Sequence, residues 1–323
     1  MDERRARVIS QEKGSYRISS GADMKAAAVS GKYRYEAVTV SDYPAVGDYV
    51  LAQWPEDDAP AVIRSLFPRK SCFIRRAAGS AKQEQVVAAN IDTVLICMSL
   101  NQNYDLRRLE RYLSIAYDSG AAPVVVLTKA DLCRDVDSRV SEVRGAAPGV
   151  DILAVSSLSG DLGAVTRYIL PGRTVAFLGS SGVGRSTLIN QLTGTHSLAT
   201  GTVGAADKGR HTTTHRELIT LSNSAFLIDT PGMRELGMWD SGGGIDAAFR
   251  DVEGLARTCR FSNCTHTSEP GCAIQQALAD GTLDAARWRS FRKLKLEDRS
   301  AADNSRYQAA KRERARAGRK RHS

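Results

Sequence analysis

The run Gly179-Ser-Ser-Gly-Val-Gly-Arg-Ser-Thr187 has the glycine spacing of a phosphate-binding loop, G-x-x-x-x-G-K-[ST], with Arg185 at the lysine position. Glycines let backbone N–H groups turn inward on phosphate oxygens at a helix N-terminus. Gly179, Ser180, Ser181, Gly182, Val183, Gly184, Arg185, Ser186 and Thr187 are therefore candidate phosphate contacts, and Ser186 is placed to ligate Mg²⁺. Arginine keeps the positive charge, but its planar fork is wider and more directional than an ammonium. The spacing predicts a site that binds, with Arg185 both a candidate catalytic residue and a brake on hydrolysis.

A second stretch, Thr128-Lys-Ala-Asp131, resembles the guanine-reading N-K-x-D, with Thr in place of Asn. A carboxylate at Asp131 can accept from guanine N1 and N2, which adenine does not offer. The stem of Lys129 can lie along a base plane. Thr128, Lys129, Ala130 and Asp131 are thus candidate base contacts, with Ser156 and Ser157 as weaker supports. Asp229-Thr-Pro-Gly232 matches D-x-x-G: Asp229 can hold Mg²⁺ through water, and the Gly232 N–H can meet a γ-phosphate. Between these, Gly209-Arg-His-Thr-Thr-Thr-His215 suits a switch segment, with Thr213 the favoured Mg²⁺ ligand among its hydroxyls. Met233 stands where Ras-like GTPases carry a water-orienting Gln, and a thioether cannot orient water. His211 is a candidate catalytic replacement; the competing reading is an exposed loop histidine.

Cys259-x4-Cys264-x-His266-x5-Cys272 supplies three thiolates and one imidazole, a closed tetrahedral set for structural Zn²⁺. Cys72, Cys97 and Cys133 read as isolated thiols, and six cysteines so arranged do not form a secreted disulfide framework. A cytoplasmic protein is expected, with no apolar run near membrane-spanning length and no signal-peptide core. The net charge of +9 is uneven: fourteen Lys and Arg face four Asp and Glu between 287 and 321, leaving the rest nearly neutral. Such a basic end suggests a polyanion partner.

These residues need strand ends to hold them. Short β-rich stretches at 7–10, 16–19, 36–40, 48–52 and 61–64, punctuated by Gly and Pro, predict a helix-free OB-type barrel over 1–78. Strands at 93–100, 123–127, 151–155, 174–178 and 225–229 alternate with helical patterns. These include Leu106 to Tyr117, ended by Gly120, then 162–170 and 186–192. That alternation predicts a parallel α/β sheet over 79–240 with ligands at its carboxyl edge. The order of base motif, phosphate loop, switch and D-x-x-G is rotated relative to the usual GTPase order. Close termini let such a permutation preserve the spatial contacts. Residues 241–323 read as a mainly helical zinc-binding domain with a basic tail.

The whole set resembles the RsgA (YjeQ) family of circularly permuted GTPases. The resemblance rests on Asp42-Tyr-Pro-Ala-Val-Gly-Asp48, Ala89-Asn-Ile-Asp-Thr-Val94, Leu106-Arg-Arg-Leu-Glu-Arg-Tyr112, Gly209-Arg-His-Thr-Thr-Thr214, Asp229-Thr-Pro-Gly-Met-Arg-Glu-Leu236 and the Cys/His cluster. It implies an OB domain, a permuted GTPase domain and a zinc domain. It also implies GTP hydrolysis stimulated by the small ribosomal subunit, contact with rRNA and a role in late subunit maturation. A monomer using Mg²⁺ with GTP or GDP and one Zn²⁺ is expected. The alternative is a non-hydrolysing rRNA-binding module with a degenerate phosphate loop; a third reading, an ATP-dependent enzyme, is opposed by Asp131.

Overall fold

A computed structural model describes residues 2–12, 14–21, 23–76, 84–157, 160, 162–194, 217–229 and 243–300. His211, Thr213, Gly232, the carboxylate of Asp229 and the tail beyond 300 lie outside the described residues.

Five strands, β1 (Asp2–Glu12), β2 (Ser15–Ser20), β3 (Asp23–Val29), β4 (Tyr49–Trp54) and β5 (Ala61–Leu66), pair in the order β1-β2-β3-β5-β4. A further β1–β4 ladder from Asp2↔Trp54 to Arg7↔Tyr49 closes the barrel. Alternate residues such as Val8, Tyr16, Ile18, Val50 and Ile63 point inward and fill it. The expected strand at 36–40 is absent: a short helix α1 (Gly31–Glu36) and a 3-10 turn, Val40–Asp42, stand there. Ser30 accepts from the Tyr33 N–H, and the Asp42 carboxylate accepts from Val38 and Thr39 N–H. Local caps outweigh the β-branched composition. The missing barrel strand is instead β3, whose alanine run carried little strand signal.

Strand β6 (Cys72–Arg76) pairs with β7 (Glu84–Ala89) as a separate hairpin, so the boundary expected at 78/79 falls between its two strands. The central sheet follows with β8 (Thr93–Ser99), β9 (Ala122–Thr128), β10 (Asp151–Ala154), β11 (Thr174–Leu178), β12 (Glu217–Thr220) and β13 (Phe226–Asp229). Their order is β10-β9-β8-β11-β13-β12, all parallel except β12. A single Ser10↔Glu217 bridge joins it to the barrel. Helices α2 (Leu106–Ser119), α3 (Val136–Ala146), α4 (Gly163–Thr166) and α5 (Arg185–Thr193) complete the α/β unit, with an apolar core on each face of the sheet. Asp105 caps α2 by accepting from Arg107 and Arg108 N–H, and Gly120 ends it at φ 84°. The helix expected over 162–170 shrinks to α4, since Gly163 and Thr166 are weak helix formers and Pro171 follows.

The C-terminal region consists of α6 (Gly244–Ala248), α7 (Arg250–Ala256), α8 (Ala273–Ala279) and a helix described over 285–300. Phe249, Val252, Ile274, Trp288, Phe291 and Leu294 share one core with Leu109, Leu113 and Ala116 of α2. Through that core runs an ion cluster. Arg287, 5% exposed, donates to Glu110 at 3.0 Å and to Asp251 at 2.6 and 2.7 Å, with further bonds to the carbonyls of Ala146 and Ala248 at 3.1 Å.

Candidate nucleotide site and metal centre

The phosphate loop leaves β11 at the carboxyl edge of the sheet and enters α5. Its first glycine is required by close approach: a Cβ on Gly179 would lie 2.5 Å from the Cys97 carbonyl oxygen. Gly184, the residue before α5, sits at φ 92°, a left-handed conformation that turns the chain into the helix. The residue types at these two positions follow from that backbone path.

The base-motif loop is tied to the phosphate loop. Thr128 Oγ1 donates to the Val183 carbonyl at 2.5 Å, and Lys129 Nζ donates to the Gly182 carbonyl at 2.8 Å. Lys129 itself holds a left-handed φ of 58°, unusual for a non-glycine residue. Ala130 N–H donates to the Val155 carbonyl at 3.1 Å, joining the ends of β9 and β10. Ser156 Oγ hydrogen-bonds the Asp131 carboxylate, and Gln191 of α5 donates to the Ser157 carbonyl at 2.8 Å. Thr128–Asp131, Ser156–Ser157 and Gly179–Thr187 thus converge on one edge of the sheet, as their spacing predicts.

Arg185 is the first residue of α5 and is only 6% exposed. Its charge lies close enough to Cys97 and Tyr112 to bias both toward ionisation. Burial nonetheless dominates, pushing the Cys97 thiol up to about 12 and raising the Tyr112 phenol. The Arg185 side chain is thus buried at the start of α5, with its charge felt by β8 and α2. Two neighbours of the loop are not among the candidate site residues read from the sequence. Asn103 donates to the Ser181 carbonyl at 3.3 Å, and Arg108 donates to Ser180 Oγ at 3.2 Å. Arg108 lies in the Leu106–Tyr112 stretch that carries the family resemblance, but its local pattern, arginines on a helix that also carries Glu110, Ser114 and Asp118, equally describes a solvated face.

The four metal-ligand candidates also converge. Ligand atoms of Cys259, Cys264, His266 and Cys272 all lie within 4.8 Å of one another. His266 Nδ1 is 3.5 Å from the Sγ atoms of both Cys259 and Cys272, which are 4.0 Å apart. A tetrahedral ion with Zn–S of ~2.3 Å and Zn–N of ~2.0 Å requires separations of ~3.8 and ~3.5 Å, so this donor set fits zinc. His266 adopts φ 60°, held by Gln275 donating to its carbonyl at 2.6 Å and by Trp288 packing edge-on at 5.7 Å. Glu269 ties the intervening loop. It accepts from Thr265, Thr267 and Ser268 N–H and from Thr265 Oγ1, and these donors hold its carboxyl well below the usual range.

Comparisons with known proteins match this architecture. The RsgA GTPase family model matches residues 66–239. "Small ribosomal subunit biogenesis GTPase RsgA 2" of Lactiplantibacillus plantarum is 46% identical over 302 residues, covering 93% of this chain and 85% of that protein. "Small ribosomal subunit biogenesis GTPase RsgA" of Opitutus terrae is 44% identical, over 92% of this chain and 84% of its own. Among solved structures, YjeQ from Thermotoga maritima aligns with TM-score 0.69 at 23% identity, over 92% of this chain and 99% of that one. YloQ, a circularly permuted GTPase, aligns with TM-score 0.67 at 22% identity, over 93% and 96%. Barrel, permuted sheet and helical C-terminal region therefore share the fold of these two structures. With a family match across the phosphate loop and relatives at this identity over nearly the full length, the chain belongs to the RsgA GTPase family.

Proposed function

We propose that this protein is a guanine-nucleotide-binding GTPase of small-ribosomal-subunit biogenesis, stimulated by the subunit and active in its late maturation. The observation that carries this reading is the pair of bonds from Thr128 and Lys129 to the Val183 and Gly182 carbonyls. They hold a base-reading loop beside a phosphate loop at the carboxyl edge of one sheet. Asp131, steadied by Ser156, reads the guanine edge; Lys129 lies under the base; the N–H groups of Gly182 to Thr187 receive phosphate. Ser186, with Thr213 and the Asp229 carboxylate, would hold the Mg²⁺ that accompanies GTP or GDP, and that ion would neutralise phosphate charge. Gly232 N–H would meet the γ-phosphate, and His211 would orient water.

The Cys₃His centre binds one structural Zn²⁺. The basic C-terminal end contacts rRNA, and the working form is a cytoplasmic monomer. Among the described residues no helix is long and apolar enough to cross a membrane. One observation favours a second reading, a nucleotide-binding assembly module with little turnover: Arg185 is buried beside Cys97 and Tyr112. Single-turnover GTP hydrolysis with and without purified small subunits separates the two. Stimulation by subunits supports the GTPase reading, and GTP that stays intact at saturating subunit supports the module.

A further inference from the structure

The helix over 285–300 and α2 face each other across an open groove of about 510 Å³. Arg107, Arg108 and Arg111 line one wall and Arg289 and Lys293 the other, with Asp105 the one carboxylate among the lining residues. The α2 arginines are oriented by carboxylates: Arg107 by Glu110 and Asp284, Arg108 by Asp105, Arg111 by both oxygens of Glu297. These pairs occupy part of each five-donor fork and aim the remainder. Arg289 and Lys293 make no carboxylate ion pair among the described residues; Arg289 Nε donates to its own helix at the Ala285 carbonyl.

That arrangement is unfavourable in isolation. Arg289 and Lys293 are four residues apart on one helix face, where like charges repel. Arg292 and Arg299 add charge to the same helix, whereas Arg287 and Lys295 are neutralised by carboxylates of α2, α6 and α7, and Glu297, paired with Arg111, offsets Lys293 only in part. A polyanion in the groove relieves the repulsion. The walls also indicate which polyanion. Its two apolar lining residues, buried Leu294 and small Ala286, give a peptide side chain little to grip, and the apolar surface left is largely arginine and lysine stem. Guanidinium forks match the paired oxygens of a phosphodiester.

We infer that this groove is a binding site for an RNA sugar-phosphate backbone, separate from the nucleotide site. No phosphate-loop residue lines it, yet one wall residue, Arg108, hydrogen-bonds Ser180 of that loop. RNA seated here touches a side chain that touches the GTP site. The inference deepens the functional reading above and rests on it for the identity of the RNA.

The test uses full-length Arg289→Gln/Lys293→Gln protein, with zinc content and melting temperature confirming its fold. The probes are a 20-nucleotide oligo(U), inorganic pyrophosphate and purified small subunits. Two lost phosphate contacts on a single strand should make the slope of log K against log salt shallower by about 1.4. If the two curves meet near ~1 M salt, binding at ~0.1 M weakens roughly 25-fold. An unchanged slope overturns the inference and leaves a solvated cleft. So does a loss confined to pyrophosphate, which identifies a free-polyphosphate site. The functional reading fails separately. If the parent hydrolyses GTP no faster with small subunits, but the variant loses the oligo(U) slope, the groove stands and that reading falls. Subunit stimulation of the parent with an unchanged variant slope has the opposite meaning.

Discussion

Replacing Arg287 by Met should undock the zinc region from the GTPase domain. Arg287 touches α2, α3, α6 and α7 together, through Glu110, Ala146, Ala248 and Asp251. Its guanidinium also lies 4.5 Å above the Phe249 ring. Removing one partner of a buried ion pair costs about 3–5 kcal/mol, because the other is left charged and dry. Glu110 is fully buried but keeps a 2.6 Å bond from Arg107, which places the pair loss near ~3 kcal/mol. The two carbonyls lose charged donors, at roughly 1.5–3 kcal/mol each. Met fills most of the volume, so about 6 kcal/mol is expected in all. Urea titration followed by tryptophan fluorescence reads it, since Trp288 stacks on Phe291 and meets the His266 ring edge-on. Adding Glu110→Gln should restore part of the loss by removing the stranded charge. A cost below ~1 kcal/mol for Arg287→Met would show that the apolar core alone docks the region, and the ion-cluster argument would be wrong.

Three further expectations concern other parts of the chain. Burial, with Asp298 and Asp246 nearby and opposed by the Gly244 N–H at 2.6 Å, pushes the Asp118 carboxyl up to about 6. The native state therefore keeps a proton that the unfolded chain has lost. That stabilisation is present below the ordinary carboxylate pKa and disappears as pH rises through 6. Asp118→Asn should flatten melting temperature against pH between about 4 and 7, and parallel curves for the two proteins would count against it. Cys264→Ser should lose one Zn²⁺ per chain by metal analysis and change Trp288 emission, whereas parent protein purified without chelator and free of stoichiometric metal would remove the zinc claim. Arg185→Lys should speed single-turnover hydrolysis at saturating small subunits by roughly 10²–10³ with little change in fluorescent-GDP affinity; an unchanged rate would mean that the buried guanidinium fits the loop.

Local signals are legible where one residue decides the backbone. Gly120 ends α2, the glycines of 179–184 carry the turn into α5, and the Cys/His spacing brings four ligands together. Strand and helix were confused where composition was neutral, as in the alanine run of β3, or where short caps prevailed, as at Ser30 and Asp42. β12 was not expected at all; its four residues gain strand character by pairing with β13. The least legible features are the distant polar pairs. Glu110 reads as a surface charge beside Arg107, but it is buried because Arg287 arrives from 177 positions away. Arg108 likewise gains meaning only when α2 meets the phosphate loop. Pairwise contacts set by tertiary packing leave no periodic trace in a single sequence.

The most direct test of the central claim is nucleotide choice at Asp131. Single-turnover hydrolysis of GTP, ATP and xanthosine triphosphate, with purified small subunits present, should show GTP preferred by the parent protein. Asp131→Asn should lose GTP and gain xanthosine triphosphate, because the exocyclic group facing that side chain changes from donor to acceptor. Equal hydrolysis of ATP and GTP by the parent, or a variant whose preference does not move, would contradict a guanine site built on Thr128–Asp131.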